Sequence, residues 1–177
     1  MLIINHNSNW KYQFLSIQQV LSLALDGLDT QIEHVGSTAV VGLAAKPIID
    51  IDIIYKKSDF ESLCEQLSSI GYRHHGDQGI PEREVFKRSI DVDHLVLDKI
   101  QHHLYACHRN SSELKRHLVF RDYLQQHSDA RNRYQELKIQ IAKQADQDRK
   151  RYASIKEEKA SQVVLSILEL AEKERIR

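Results

Sequence analysis

The chain has 177 residues, of which 41% are hydrophobic and 28% charged, a composition typical of a soluble globular protein. No apolar run approaches the roughly 20 residues that span a bilayer, and no basic start followed by an apolar stretch indicates a secretory signal. Cys64 and Cys107 form no CxxC pair, so we expect two reduced thiols in a cytoplasmic protein that has no membrane partner.

The formal net charge is zero but is unevenly distributed. Residues 1–108 hold 9 Lys/Arg against 14 Asp/Glu, a balance of −5, and residues 109–177 hold 16 against 11, a balance of +5. Such a division suits a metal in one half and anionic groups in the other, although solvated helices also carry many basic residues. We divide the chain at this point into an α/β core, 1–108, and a C-terminal helical segment, 109–177, packed on it as one structural domain.

The N-terminal half alternates helices and strands. Apolar residues that recur at helical spacing through about position 25 predict a first helix, and Asn7 or Ser8 is its cap candidate. "QIEHV" predicts a short strand, and "IIDIDII" predicts a central strand covered on both faces, because isoleucines dominate it. Ser58 as a cap and Gly71 as a stop predict the next helix. The order strand, turn, strand, helix indicates an α/β unit.

The rest of the chain predicts further strands and then three helices. "YRHH", "EREVFKRS", "DVDHLVLD" and "HHLYACH" are strand-like and should complete a small mixed sheet. After Arg109 the pattern is helical, with caps at Ser111 or Ser112 and at Ser128, and a last helix from about Asp148. The predicted fold is therefore α/β (α+β), a small mixed β-sheet flanked by helices with a C-terminal helical layer.

Two carboxylates on the predicted central strand carry the chemistry. Asp50 and Asp52 stand at i and i+2, so both side chains lie on one face of the strand. Close carboxylates repel each other, and buried ones need partners or a cation such as Mg²⁺. The upstream Gly36 and Ser37 offer close backbone approach and a hydroxyl donor, both of which suit a phosphate. The alternative is a strand-end aspartate bound to backbone donors; we favour a site for metal-assisted phosphoryl or nucleotidyl transfer.

These residues resemble a known family. Gly36-Ser37, twelve intervening residues, and Asp50-Ile51-Asp52 resemble the signature of the nucleotidyltransferase superfamily related to DNA polymerase beta. More closely, "IEHVGSTAVVGLAAKPIIDIDI" resembles the GrpB (UPF0157) family, which also occurs fused to dephospho-coenzyme A kinase. The resemblance continues through "GYRHHGDQGIPEREVFKR", "HLVFRDYLQQH", "YQELKIQIA" and "YASIK", and so extends from the first helix to about residue 165. It implies a nucleotidyltransferase-like fold over residues 1–108.

The resemblance also implies roles for individual residues. The metal ligands, for Mg²⁺ or Mn²⁺, fall on Asp50 and Asp52, and the phosphate-binding pair falls on Gly36 and Ser37. Lys46 stands where the family has a lysine before Pro-Ile-Ile-Asp and could neutralise phosphate charge. Four more basic residues match family positions and could bind the triphosphate and the acceptor, or instead form salt bridges among the helices: Arg83, Arg121, Lys138 and Lys156.

Two departures from the family pattern bear on activity. Val40-Val41-Gly42 replaces the usual Val-Pro-Gly, which removes a rigid turn but no chemistry. Active superfamily enzymes generally use a third carboxylate on a later strand, and no acid stands at the corresponding His103-Leu104-Tyr105. His103 is our first candidate for a substitute general base. Asp93, with Asp91 on the same face of "DVDH", is the second candidate if its strand enters the cleft; the alternative is an exposed loop or edge strand.

The ten histidines do not predict a zinc site. His74-His75 and His102-His103 are adjacent pairs whose side chains diverge on a strand, and no HExxH motif or Cys-His set is present. His34 is a further candidate for lining the cleft, where it could act as a base or donate to phosphate.

The sequence thus predicts a nucleotidyltransferase that uses Mg²⁺ and a nucleoside triphosphate to modify an acceptor, which could be a small molecule, an RNA or a protein. One alternative is a degenerate module that binds the nucleotide without turnover, because the third acid is missing. A second alternative is a nucleic-acid-binding protein that uses the basic C-terminal helices, which the zero net charge and the few aromatics disfavour. The oligomeric state is left open.

Overall fold

A five-stranded mixed sheet forms the centre of the computed structural model, which describes residues 1–175. The strands are β1 (Gln31–Val35), β2 (Ile49–Tyr55), β3 (Tyr72–His74), β4 (Glu84–Arg88) and β5 (His102–His108), and the helices are α1 (Asn9–Ala24), α2 (Phe60–Ser69), α3 (Ser112–Gln126), α4 (Ser128–Gln144) and α5 (Arg149–Arg175). The strand order is β1-β2-β5-β4-β3. Only β2 and β5 run parallel, and the other neighbours are antiparallel. The predicted small mixed sheet flanked by helices is confirmed.

The isoleucines of β2 lie on the face of the sheet that packs against α1 and α2. Ile49, Ile51 and Ile53 are buried in a cluster with the apolar stripes of α1 and α2. Because β2 is a central strand and nearly all of its residues are buried, it reads as a continuous apolar run, as the sequence predicted. Asp50 and Asp52 alternate with these isoleucines and therefore belong to the opposite face.

The C-terminal helices pack over this opposite face and beside it. Leu114 of α3 lies against Ile54 and Cys107 of the sheet. Helices α3, α4 and α5 share a second cluster with Val40 and Leu43 of the segment between β1 and β2. The helical layer therefore places α3 beside the carboxylates. No helix in residues 1–175 combines the length and apolar character needed to cross a bilayer.

Three local predictions were wrong. "DVDHLVLD" forms turns rather than a strand, because Arg88 donates hydrogen bonds to Asp98 and to the Val92 carbonyl and so folds the segment back. Ser58 does not cap α2; its hydroxyl donates to Asp59, within a short 3₁₀ turn that precedes the helix. Helix α4 begins at Ser128 without a side-chain cap.

One predicted cap agrees with the structure. Ser111 accepts the Leu114 N–H at 3.2 Å and caps α3. At α1 the N-cap residue Ser8 makes no side-chain cap hydrogen bond, and Asn7 instead accepts the Asn9 N–H at 3.0 Å. The cap on α3 matters for the site, because α3 carries a side chain that contacts Asp52.

Candidate active site

The pairing of β2 with its two neighbours sets the surroundings of the carboxylates. Asp50 lies opposite His103 of β5, and Asp52 lies opposite Tyr105 of β5. Asp52 is fully buried, whereas 30% of the Asp50 side chain is exposed. The pair, which shares one face of the strand, therefore runs from the protein surface into the interior.

The turn after β1 brings Gly36 against Asp50. Gly36 has φ +71°, and a Cβ at this position would lie 3.0 Å from Asp50 Cβ and collide with the carboxylate. Only glycine fits both the backbone conformation and the space. Thr38, in the 3₁₀ turn that follows, hydrogen-bonds to the Ile48 carbonyl at 3.3 Å, which ties the turn to the start of β2. The turn that carries Gly36 is therefore packed directly against Asp50.

Each carboxylate is held by a histidine. His103 Nδ1 lies 2.9 Å from Asp50 Oδ1, and His117 Nδ1 lies 2.7 Å from Asp52 Oδ2. A carboxylate oxygen accepts, so each imidazole donates its Nδ1–H and keeps Nε2 as its second polar atom. His117, on α3, was not among the predicted site residues. Its sequence position gives no signal, because the contact depends on how α3 docks on the sheet.

The second oxygen of Asp52 has no protein partner. Asp52 Oδ1 is buried, and no residue in the part of the chain described here hydrogen-bonds to it. A buried carboxylate oxygen without a partner is costly, and a cation would satisfy it. Over residues 1–175 no group of three or more His, Cys, Asp or Glu side chains is arranged to hold a metal ion. The fit to a hard cation such as Mg²⁺ rests instead on the unpartnered oxygen of Asp52, because Mg²⁺ takes one or two carboxylates and completes its shell with phosphate oxygens and water.

Lys138 joins the C-terminal helices to the Gly-Ser turn. It is almost fully buried, at 2% exposure, and its Nζ donates to Ser37 Oγ at 3.1 Å and to the Ala44 carbonyl at 2.5 Å. Burial, with a smaller contribution from Lys156, lowers the pKa of Lys138 to about 7. A lysine with this pKa can take up a proton when an anion arrives beside Ser37.

Two further lysines lie on the same side of the cleft. Lys46 Nζ stands 4.0 Å from the centre of the Tyr152 ring, and burial lowers its pKa. Lys156 hydrogen-bonds to Tyr134, and the nearby Tyr134 hydroxyl raises its pKa. The negative charge of Asp50 acts to raise the pKa of both lysines. Together with Lys138 they supply positive charge from α4, α5 and the loop before β2, on the Gly36 side of the carboxylates.

The predicted arginines have different surroundings. Arg121 donates to Glu33 and Asp122 at 2.7 Å and to the His34 carbonyl at 3.0 Å; this is the salt-bridge alternative that the sequence left open. Arg83 lies with its guanidinium carbon 4.6 Å from the centre of the Tyr105 ring. Arg83 therefore lies beside the carboxylates, whereas Arg121 connects α3 to β1 through its hydrogen bonds.

The remaining candidate bases are less well placed. His34 lies 3.0 Å from the Thr38 hydroxyl and stacks on the Phe14 ring, and burial lowers its pKa to about 4. Asp93 depended on a strand that enters the cleft, and it lies instead in an exposed turn after β4. Of the predicted bases, His103 contacts Asp50 directly, and β5 carries no acid.

The fold places the protein among nucleotidyltransferase-like structures. A mutant of the Cid1 poly(U) polymerase bound to MgATP superposes with a TM-score of 0.56 over 82% of this chain and 45% of that chain, at 12% identity. A cytoplasmic RNA terminal U-transferase gives 0.56 over 81% and 44%, at 15% identity. At such identities the similarity establishes the fold alone.

The chain belongs to the GrpB protein family, which matches residues 1–166. The crystal structure of GrpB from Enterococcus faecalis superposes with a TM-score of 0.79 over 99% of both chains, at 28% identity. UPF0157 protein YqkA from Bacillus subtilis is 32% identical over 157 residues, which is 88% of this chain but only 44% of YqkA. Glutamate-rich protein GrpB from Alkalihalophilus pseudofirmus is 28% identical over 93% of this chain and 94% of its own length. The resemblance seen in the sequence is confirmed.

Proposed function

We propose that this protein is a metal-dependent nucleotidyltransferase that binds a nucleoside triphosphate with Mg²⁺ and transfers the nucleotidyl group to an acceptor. The observation that carries the proposal is the pair Asp50 and Asp52 on one face of β2, packed against Gly36, with a buried Oδ1 that lacks a protein partner. His117 occupies one oxygen of Asp52, and the other oxygen, which has no protein partner, is the one that we assign to the cation.

The phosphates bind on the Gly36 side of the cleft. The Ser37 hydroxyl and the cationic groups of Lys138, Lys46 and Lys156 are the donors there. Proton uptake by Lys138 accompanies binding of the anionic phosphates, because a nearby negative charge raises the pKa of a buried lysine. When bound by Asp50 and Asp52, Mg²⁺ supplies positive charge to the reacting phosphate.

A residue of this chain accepts the proton that the acceptor hydroxyl loses. The acceptor hydroxyl oxygen attacks the α-phosphorus, the bond from that phosphorus to the bridging oxygen breaks, and pyrophosphate leaves with the electron pair. The acceptor proton passes to His103 Nε2. Asp50 accepts the Nδ1–H of the same ring at 2.9 Å, which fixes the tautomer that presents Nε2 as the base. Just over half of the His103 side chain is exposed, 53%, so an acceptor can reach it.

A transfer assay tests the proposal. Wild-type protein is incubated with Mg²⁺, each of the four α-³²P-labelled nucleotides and a cell extract, beside Asp52→Asn and the control Asp93→Asn, which removes an exposed acid outside the cleft. Transfer should require Mg²⁺, survive in Asp93→Asn and be lost in Asp52→Asn. His103→Ala should lower the rate by about 10²–10⁴-fold and leave nucleotide binding nearly unchanged.

One observation favours the second candidate function, a nucleotide-binding module without turnover. The β5 residues opposite the two aspartates are His103 and Tyr105, and no acid lies on that strand. Magnesium-dependent nucleotide binding by the wild type, with no transfer under Mg²⁺ or Mn²⁺, would decide for this module.

A further inference from the structure

Arg83 is unusual among the arginines of this protein. Among residues 1–174 four arginines are half-buried, namely Arg83, Arg88, Arg121 and Arg131. The last three donate hydrogen bonds to carboxylates or backbone carbonyls. Arg83 has no such partner among the described residues, and its Nε is buried without an acceptor. A buried Nε–H without an acceptor is costly, and the terminal nitrogens are not held by any described residue, so this side chain is placed for an anionic ligand.

The strand order gives the position of Arg83 relative to the carboxylates. Arg83 immediately precedes β4, and β5 lies between β4 and β2. Its guanidinium stacks on Tyr105, which is the β5 neighbour of Asp52. Gly36 and Ser37 follow β1, on the other side of β2. The arginine and the proposed phosphate-binding turn therefore flank the two aspartates from opposite sides.

We propose that Arg83 binds a single carboxylate or phosphate group of a small-molecule acceptor; this inference rests on the function proposed above. In an in-line displacement the attacking and leaving oxygens lie on opposite sides of the phosphorus. If pyrophosphate leaves on the Gly36 side, the acceptor enters on the β5 side, where His103 and Arg83 stand. A planar guanidinium pairs with carboxylate or phosphate through two parallel hydrogen bonds. The attacking hydroxyl and the anionic group thus belong to one molecule that bridges His103 and Arg83.

The charges around Arg83 favour a small acceptor over a nucleic acid. Glu82 precedes it in the sequence, and Glu113 acts on the same Cys107 thiol as Arg83 does. A phosphodiester chain needs several cations along its track, and these two acids would repel it. A single oxyanion can reach the guanidinium while the acids remain on their own partners, Ser112 and Arg116.

The first experiment observes Arg83 directly and needs no nucleotide. The arginine Nε–H resonances of ¹⁵N-labelled protein are recorded during titration with phosphonoacetate, which carries both oxyanion types. The Arg83 resonance is identified by its absence in Arg83→Met. It should shift saturably, while that of Arg73, exposed and paired with Asp91, should not. An Arg83 resonance that stays in place overturns the proposal.

The second experiment follows the acceptor. Extract is divided into a small-molecule filtrate, an RNA fraction and a protein fraction, and each is offered with labelled nucleotide and Mg²⁺ to wild type, Arg83→Met, Arg83→Lys and the control Arg73→Met. Label should enter the filtrate. Arg83→Met should lower kcat/KM for the filtrate acceptor by about 10- to 150-fold, the loss expected for a charged hydrogen bond, with nucleotide affinity unchanged. Arg83→Lys should recover part of the loss, and Arg73→Met should behave as wild type.

The outcomes separate the two proposals. If neither the wild type nor any variant binds nucleotide, the proposed function is refuted. The phosphonoacetate titration then still shows whether Arg83 binds an oxyanion. Transfer only to RNA or protein, or a wild-type rate in Arg83→Met, overturns the acceptor proposal alone. A lower melting temperature in Arg83→Met with an unchanged KM for the filtrate acceptor would show a structural role for Arg83, and would overturn it too.

Discussion

Replacing Lys138 with methionine should change how the stability of the protein depends on pH. Burial lowers the pKa of Lys138 from 10.5 to about 7 in the folded protein, and unfolding exposes the amine. Between these two values the unfolded chain binds more protons than the folded chain, so the contribution of Lys138 to stability rises with pH. Below about pH 7 both states are protonated and this dependence disappears, and above about pH 10.5 both are neutral.

The magnitude follows from the same two values. Each pH unit within the window adds up to about 1.4 kcal/mol, so the free energy of unfolding of wild type relative to Lys138→Met should rise by roughly 2–3 kcal/mol between about pH 7.5 and 9.5. For a chain of this size, that is about 5–10 °C in the relative melting temperature. Comparing the two proteins cancels the titration of other groups, such as Cys107, whose pKa burial raises to about 12.

Urea denaturation at a series of pH values measures the effect. Lys143→Met is the matched control, because Lys143 is an exposed lysine on the same helix. Its difference from wild type should stay constant over the window. Parallel pH curves for wild type and Lys138→Met would refute the reasoning, since they would mean that Lys138 remains charged in the folded protein.

Three further predictions concern the carboxylates and the groups that hold them. In chelator, Asp52→Asn should be as stable as wild type or more stable, because it removes a buried charge; marked destabilisation would make this acid structural. Gly36→Ala should lose stability and nucleotide binding, because the added Cβ meets Asp50. Gly79→Ala is the control, since Gly79 has a similar φ of +83° but open space around it, and this change should cost only about 1 kcal/mol. Equal losses of stability in denaturation would contradict the close approach of Gly36 to Asp50. His117→Ala should cost about 1–3 kcal/mol by leaving Asp52 without its donor, and His117→Asn should recover part of it; the contact would be dispensable if both variants melted like wild type.

The features that follow from local rules could be predicted from the sequence. Strand alternation alone places Asp50 and Asp52 on one face. Gly36 predicted a close backbone approach, and only the structure shows that the group it approaches is the Asp50 side chain. The Ser111 cap likewise depends on a few neighbouring residues. These features agree with the structure because each is decided within a short stretch of chain.

The features that depend on docking between elements could not be predicted. His117 reaches Asp52 only because α3 packs on the carboxylate face of the sheet. "DVDHLVLD" alternates like a strand, yet Arg88 at the end of β4 donates hydrogen bonds to Val92 and Asp98 within the segment and folds it into turns. Arg121 forms an ion pair in the structure and Arg83 does not, and nothing in the residue type distinguishes these two arginines in the sequence.

Metal-linked nucleotide binding tests the central claim most directly. Melting temperatures are recorded with ATP, GTP, CTP and UTP, with and without Mg²⁺, for wild type, Asp50→Asn and Asp52→Asn. At about 100 times its dissociation constant, a bound nucleotide should stabilise the wild type by roughly 2.7 kcal/mol, only when Mg²⁺ is present, and neither variant should respond. No shift for any nucleotide, or an equal shift in the two asparagine variants, would contradict the assignment of Asp50 and Asp52 as the ligands that hold the metal and its nucleotide.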